Sequence, residues 1–391
     1  MKILHVIPSL SPRYGGPSAV LPVMARALIA QGLTVDVATI CDEPLQAMIK
    51  ETIVVGTNSY RSFAFARQTS CFRISLPLAK WLKKHIQEYD VVHVHAVFTF
   101  SSLATCYIAR QAGVPYIVRP LGILNSWGME NRRKTLKKIW FRLIEKPFLD
   151  KAAAMHYTSD QERDDAARLR IRSPAQVLPL GLDLSKFSNL PHGDLFHDRF
   201  PQLRHRRILL FLSRIHPKKG FDLLLPAFAQ LVNKIPDIAL VVGGDGTSEY
   251  LHSLQEECKS LELEDSVLWV GFLDETARLE ALAAATVFCL PSWSENFGVA
   301  LLEAMAAGLP CIATDQVALA IDAAQAGAVL MISCDVEALE ESLLEMFSNP
   351  SISKEMGMRA AKHACDYYSM EAMGKSLIQF YQTVVHSRFP R

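Results

Sequence analysis

Short apolar strands recur along this chain, each followed by a helical pattern, and the alternation runs through both halves. The N-terminal half holds KILHVI, TVDVATI, DVVHVHAV, PYIVRP, AMHYTS and QVLPL; the C-terminal half holds ILLFLSR, IALVVGG, SVLWVGF, TVFCLPS, PCIAT and AVLMIS. Helical stretches lie between them, such as SAVLPVMARALIAQG, closed by Gly32. Strands that are apolar throughout must be covered on both faces, and crossover helices do this. Each half therefore reads as a doubly wound, mostly parallel α/β sheet. A chain of 391 residues is too long for one ordinary core. We place an N-terminal domain over 1–184, a linker over 185–206 and a C-terminal domain over 207–369. The linker is polar, carries proline and lacks clear periodicity.

Ligands of such sheets bind beyond the carboxyl ends of the strands. The loops to inspect are therefore SLSPRYGG, HAVFTF, PLGILNSW, SRIHPKKG, GGDG, GFLD and PSWSENFG. Lys and Arg number 41 against 40 Asp and Glu, so global charge argues against a nucleic-acid partner and any basic site is local. The cysteines are scattered, with no CxxC and no zinc spacing. They fit a reducing compartment, and the expected location is cytoplasmic. The opening MKILHVIPSL reads as a strand interrupted by His5 and Pro8 rather than as a signal peptide. No apolar run reaches the roughly 18 residues that span a bilayer.

One stretch speaks to chemistry. In CLPSWSENFGVALLEAMAAGLPCIATD a strand stops at Pro291, a polar loop follows, and an apolar helix begins near Asn296 to Gly298. Such a helix start presents backbone N–H groups, which favour anions and hydroxyl-rich groups. Glu295 stands at its rim. Glu303 lies inside the helix among Val299, Ala300, Leu301, Leu302, Ala304, Met305, Ala306 and Ala307. A solvated helix glutamate is the ordinary alternative, but this helix has almost no polar face. A lone acid there needs a partner or a ligand. At helical rise the two carboxylates are up to roughly 12 Å apart, comparable to the reach from a sugar across a diphosphate to a ribose.

The pattern E-x7-E, as Glu295 and Glu303, resembles the signature of retaining glycosyltransferases of family 4, also described as glycosyl transferases group 1. The resemblance covers nearly the whole chain. SRIHPKKGFDLLLPAF is similar to that family's diphosphate-binding segment, with Arg214 and Lys219 at the matching positions; YGGPSAVLPVMARAL resembles its first glycine loop, with Gly15 and Gly16. DVVHVHAVF, VVGGDG with Gly244, and VGFLD fall in family order.

The resemblance implies the GT-B fold, two facing Rossmann-like doubly wound domains with a deep interdomain cleft, and a last helix near 370–385 that returns the 370–391 segment to the first domain. It implies a nucleoside-diphosphate sugar, such as a UDP-sugar, held mainly by the second domain. Glu295 would lie against the donor sugar and Glu303 on the ribose. Backbone amides of Asn296, Phe297 and Gly298 would reach sugar hydroxyls or phosphate. Phe272 and Leu273 would contact the base. The chain departs from the family in three places. Leu121 stands in RPLGILNSW where a histidine is common, so that either a subgroup does without it or Arg119 or another group does its work. Leu180 replaces an asparagine in PLGLD, and TDQVALAIDAAQAG lacks a glycine pair and glutamate.

Breaking the bond to a diphosphate leaving group develops negative charge. No D-x-D triplet, the usual metal-binding carboxylate pair of other glycosyltransferases, occurs in the chain, so no metal or other cofactor is expected. Arg214 and Lys219, with the amides after Glu295, would take its place. His93 and His95 alternate on one strand and so share a face. His93 reads as a core histidine bonded to backbone. His95, nearer the strand's carboxyl end, is placed at the cleft among the catalytic candidates.

The leading function is hexose transfer to a glycan or lipid-linked glycan, in polysaccharide or glycolipid biosynthesis. A nucleotide-sugar epimerase of the same fold and a non-catalytic nucleotide-sugar-binding protein are the alternatives. A dinucleotide oxidoreductase lacks its G-x-G-x-x-G. Finally, the segment 131–149 sets Arg132, Arg133, Lys134, Lys137, Lys138 and Arg142 around a stripe of Leu136, Ile139, Trp140 and Leu143. It reads either as a core-packed helix or as a basic amphipathic one resting on anionic lipid at the inner face of the membrane.

Overall fold

The computed structural model describes residues 1–11, 16–41, 49–55, 58–69, 72–125 and 134–387. They form two compact units, Met1–Gly181 with Met370–Arg391, and Leu182–Ser369.

In the first unit β1 (Lys2–Ile7), β2 (Thr34–Cys41), β3 (Ile49–Val55), β4 (Asn58–Ala66), β5 (Val91–His95), β6 (Tyr116–Arg119), β7 (Ala154–Tyr157) and β8 (Ala175–Val177) make one sheet. Its order is β3-β4-β2-β1-β5-β6-β7-β8, parallel except for the β3–β4 pair. β3 and β4 lie outside the sequence reading. The run YRSFAFA of β4 is interrupted by Arg61, which pairs with buried Asp36 on β2. β3 is the sheet edge and carries Lys50 and Glu51, as edge strands tend to.

The second unit holds β9 (Arg207–Leu212), β10 (Ile238–Gly243), β11 (Val267–Gly271), β12 (Val287–Leu290), β13 (Cys311–Thr314) and β14 (Leu330–Ile332), all parallel. Their order, β11-β10-β9-β12-β13-β14, reverses direction between β9 and β12. The first sheet reverses between β1 and β5. These reversals are where doubly wound sheets open a crevice for ligands.

The stretch 185–206 is a correction to the linker reading. It belongs to the second unit and contains the helix Asp194–Arg199, packed on the helix Glu275–Ala284. Phe196 and Leu203 are buried, Arg199 pairs with Glu280 at 3.0 Å, and Gly193 lies against the Ala283 backbone. The polar residues around two buried anchors hide the pattern.

One face of the first sheet is covered by the helices Gly16–Ala30 and Met370–His386, which touch where Gly374 meets the Ala27 carbonyl. That face carries four histidines. His156 Nε2 lies 3.0 Å from the Leu178 carbonyl and must donate to it; neutral His156 Nδ1 then accepts from His93 Nε2–H at 3.2 Å. His93 Nδ1 accepts in turn from the Tyr381 hydroxyl at 2.8 Å. The bonds of His93 thus go to side chains, not to the backbone as its sequence suggests, and they pin the C-terminal helix to the sheet. His5 Nδ1 and His95 Nε2 share a bond of 2.9 Å.

Burial lowers the pKa of His5 and His156 to about 3, and those of His93 and His95 well below the usual range, with Arg119 adding to the effect. Unfolded, these groups titrate near 6.5. The unfolded chain therefore binds more protons at acid pH, and the stability from neutral histidines is full above about 6.5 and lost as pH falls below it. We predict that the first unit loses stability on acidification from pH 7.5 to 5, by up to about 1.4 kcal/mol per pH unit per histidine. Urea midpoints of the intact chain, followed by proteolysis or hydrogen exchange in each unit, test this. A pH-independent first unit would contradict it.

Candidate functional site

In the second unit the loops leaving β9 and β12 flank the reversal of strand order and are laced together. After β9 the chain passes Ser213 and Arg214, then makes a 3-10 turn at Pro217–Lys219, capped by His216 Nδ1 accepting from the Lys218 N–H at 3.3 Å. Gly220 follows at φ 74°, and the helix Phe221–Lys234 begins. A Cβ on Gly220 would overlap the Pro291 carbonyl at the end of β12, so the two loops approach this closely only through glycine. The Trp293 N–H donates to the Lys218 carbonyl at 2.9 Å, and its indole N–H reaches the Asp222 carboxylate at 3.0 Å.

Across this seam Lys219 Nζ is ion-paired with Glu295 Oε2. Lys219 is buried. Burial first, then the charges of Lys218 and Arg214, press its ammonium well below the usual pKa; the Glu295 carboxylate touching it is the counter-charge that holds its proton. Burial, reinforced by Arg214, lowers Lys218 to about 8. Lys218 is a member of the cluster that sequence reasoning passed over. Its signal is the doublet in HPKKG, of which only Lys219 matches the family position. Arg214 is exposed beside them. Three cations held together with one carboxylate make a site for an anion carrying more than one charge.

Glu295 precedes the helix Val299–Ala306, and its own backbone bonds to Gln316. Gly298 caps that helix at φ 100°, where a Cβ would stand 2.9 Å from Val317. Phe297 turns its ring inward against Tyr368, which leaves its main chain at the helix start. Glu303 has found the partner its apolar helix demands. Its Oε2 lies 3.1 Å from Arg278 Nε without the alignment of a hydrogen bond. Burial raises the Glu303 pKa, opposed by Arg278. A carboxylate so placed keeps lone pairs for hydroxyl donors.

Gly244, at φ 144°, lets the loop after β10 approach the Ser213 carbonyl, where any Cβ would overlap. Phe272 is 56% exposed after β11, whereas Leu273 is buried against Gly243. The side chain of Leu273 is thus a core group, and an aromatic surface on this loop comes from Phe272 alone. The second unit accordingly gathers Arg214, Lys219, Glu295, Asn296, Phe297, Gly298, Glu303 and Gly244 around one edge of its sheet.

The remaining candidates belong to the first unit. Gly16 opens the helix Gly16–Ala30, and Gly15 lies outside the described residues. His95, expected at the cleft, lies buried beneath the helices covering its sheet face and is bonded to His5. Ligand atoms of His5, His93 and His95 lie within 4.8 Å of one another, a spacing that admits a metal ion. Both nitrogens of His93 are already engaged, however, and the Arg119 charge adjoins the group.

The geometry can be set beside known proteins. The family described as "Glycosyl transferases group 1" matches residues 196–363, and "Glycosyl transferase 4-like domain" matches 15–181. The chain is 26% identical over 315 residues to alpha-monoglucosyldiacylglycerol synthase of Streptococcus pneumoniae, covering 77% of this chain and 68% of that one. It is 26% identical over 308 residues to phosphatidyl-myo-inositol mannosyltransferase of Mycolicibacterium smegmatis, covering 78% and 73%. In structure it is similar to Anabaena HepE in complex with UDP and glucose, at TM-score 0.78 and 18% identity, covering 98% of this chain and 100% of that one. Two matches that between them cover 15–181 and 196–363, and a shared architecture over nearly the full length, show that the chain belongs to the glycosyl transferases group 1, family 4 enzymes of the GT-B fold.

Proposed function

We propose that this glycosyltransferase moves a hexose-type sugar, with retention and without a metal ion, from a nucleoside-diphosphate sugar to a glycan or lipid-linked glycan. The observation that carries the reading is the Lys219–Glu295 pair at the strand-order reversal of the second unit. A diphosphate entering there replaces the carboxylate as the counter-charge of Lys219 and frees Glu295 for the sugar. The bond from C1 to the phosphate oxygen breaks with its electron pair staying on the phosphate. Arg214, Lys218, Lys219 and the amides at the helix start stabilise that charge. The acceptor oxygen bonds to C1 on the same face, and its proton passes to the departing phosphate. Retention rests on the E-x7-E resemblance, and Glu303 takes the ribose hydroxyls.

The two relatives named above are, by their names, enzymes of a diacylglycerol glycolipid and of phosphatidyl-myo-inositol. A lipid acceptor brings the 131–149 segment into play. No described helix is long and apolar enough to cross a membrane. The helix Lys134–Trp140 runs into a π-helical turn, Phe141–Glu145, and continues as Lys146–Leu149. The wider turn shifts the register, so Trp140 packs against Phe72 and Phe141 is buried, while Ile139 and Leu143 stand 51% and 70% exposed. Exposed Lys138 and Arg142 flank them. The stripe expected from helical spacing is thus divided, and its outward half supports peripheral docking on anionic lipid. Arg132 and Arg133 lie outside the described residues, as do the side chains of Lys134 and Leu136.

Three outcomes follow from these assignments. Arg214→Ala and Lys219→Ala each lower turnover by about a hundredfold or more and weaken nucleoside diphosphate binding. Because the Lys218 pKa is lowered to about 8, bound diphosphate completes its protonation. Calorimetry at pH 8 in buffers of different ionisation enthalpy should therefore register proton uptake, reduced in Lys218→Met. Near-normal turnover, or no proton uptake, would refute the electrostatic assignment.

Glu303→Ala weakens donor and nucleoside diphosphate alike, whereas Glu295→Ala impairs transfer and leaves nucleoside diphosphate binding largely intact. Equal losses of nucleoside diphosphate affinity would overturn the division.

Co-sedimentation with anionic vesicles should fall with added salt and with Ile139→Glu and Leu143→Glu, while neutral vesicles bind little. Binding unchanged in both variants would return the helix to a purely structural role.

A further inference from the structure

The first sheet has a reversal of strand order of its own, between β1 and β5, and none of the groups there is used by the transfer just described. At its carboxyl edge His5 on β1 is bonded to His95 on β5, and His95 pairs in register with Arg119 on β6. Arg119 is 2% exposed. Its Nε and Nη1 are sealed from solvent, and no guanidinium nitrogen has a hydrogen-bond partner among the described residues. No carboxylate lies within ion-pair distance of it among those residues. The acid that influences it, Glu162, spends its oxygens on the Gly122 and Thr158 N–H groups and the Thr158 hydroxyl. Burial lowers the Arg119 pKa to about 10, which leaves it charged at neutral pH.

A buried, unpaired guanidinium is among the costliest groups a fold can hold. Its neighbours are unfinished as well. His5 Nε2 and His95 Nδ1 are both buried without partners. Two neutral imidazoles sharing one bond carry two protons. One lies in the bond, so one of the two outer nitrogens is an N–H, whichever tautomer is taken. In contrast His93 and His156 are fully engaged. The backbone just beyond is strained: Ala96, Phe98 and Leu121, at the ends of β5 and β6, have φ of 78°, 60° and 60°. Strain of this kind in non-glycine residues gathers at ligand sites. A cation is unsuited to the group because Arg119 would repel it.

We propose that Arg119, with the outer N–H of the His5–His95 pair, is a seat for a phosphoryl group on the first unit. The fork of a guanidinium suits two oxygens of one phosphate. The proposal is independent of the transfer reading, since a protein that only bound such a ligand would hold the same seat. The phosphoryl group has two sources of shared chemistry, a nucleoside diphosphate and a phosphorylated lipid acceptor.

The experiment uses the full chain with Arg214→Ala and Lys219→Ala, so that the second unit's cations do not answer for the first. Inorganic phosphate should raise its Tm, and Arg119→Met should abolish the rise. Without phosphate, Arg119→Met should leave Tm unchanged or raise it, because a methionine removes an uncompensated charge. A phosphate effect that survives Arg119→Met, or a fall in ligand-free Tm with no phosphate effect to lose, makes Arg119 structural and overturns the proposal. Should Arg119→Met not fold, the unsubstituted chain labelled at histidine decides. Phosphate must move the imidazole nitrogen signals of His5 and His95 more than those of His93 and His156, and equal or absent movement overturns the seat. The same Arg119-dependent shift with UDP alone assigns the seat to a nucleoside diphosphate, and with farnesyl phosphate alone to a lipid acceptor.

Discussion

A parallel strand begins at the opposite end of the sheet from where its neighbour finished, so every strand must be followed by a crossover. All loops leaving strands then collect on one edge, and where the strand order reverses two of them part instead of following one another. In the second unit those are the loops after β9 and β12. Everything functional there depends on keeping the parted loops in contact. Gly220 against Pro291 and Trp293 on Lys218 and Asp222 close the floor between them. Only with that floor in place is Lys219 buried enough for its charge to need Glu295.

Much of this was legible in the sequence because burial on both faces leaves an unbroken apolar strand. The buried strands β1, β2, β5, β6, β7, β9, β10, β12 and β13 could be read directly, and so could the more exposed β8, β11 and β14. β3 and β4 could not, since an edge strand and one whose charge is neutralised by a neighbouring strand look like loop. The helix start at Gly298 was marked by the turn residues around it, and the pairing of Glu303 was implied by its apolar surroundings, though nothing local points to Arg278 as the partner. The surroundings of His95 are hidden for a comparable reason. Its alternation with His93 fixes which face it takes, but the helix covering that face lies far along the chain, at Met370–His386. The π-helical turn at Phe141–Glu145 defeated a spacing argument outright, because helical periodicity assumes the turn it is trying to predict.

The two cationic centres show different ways of holding a charge out of water. Lys219 is compensated by Glu295, a residue to which the proposed function gives a second task, so under that proposal the resting site is neutralised without being blocked. Arg119 has no such stand-in, and its cost falls on the stability of the first unit. The histidines beside it are the reason it is bearable. Held neutral by burial, they add polar surroundings without adding charge. Replacing neutral imidazoles by imidazolium would set positive charges against a guanidinium, which is why acid and Arg119 act on this sheet in the same direction.

The Lys219–Glu295 pair also decides how its own disruption reads. An ion pair of this kind is costly to break by removing one member, because the other is left buried and charged. Lysine has a way out that arginine lacks: it can shed its proton. Burial, with Lys218 and Arg214 close by, already presses Lys219 that way. Without Glu295, Lys219 would rest as a neutral amine until a diphosphate restores its charge. Binding then requires a proton to be taken up, which weakens it, but no longer requires an ion pair to be opened, which strengthens it. The two changes oppose one another, so nucleoside diphosphate affinity is a poor reporter of Glu295. In the proposed transfer the sugar meets the carboxylate only after the pair has opened, and sugar transfer is the sensitive readout. Glu303 has no such exchange. Its partner Arg278 is near but misaligned, and a hydroxyl donor adds a hydrogen bond without displacing anything.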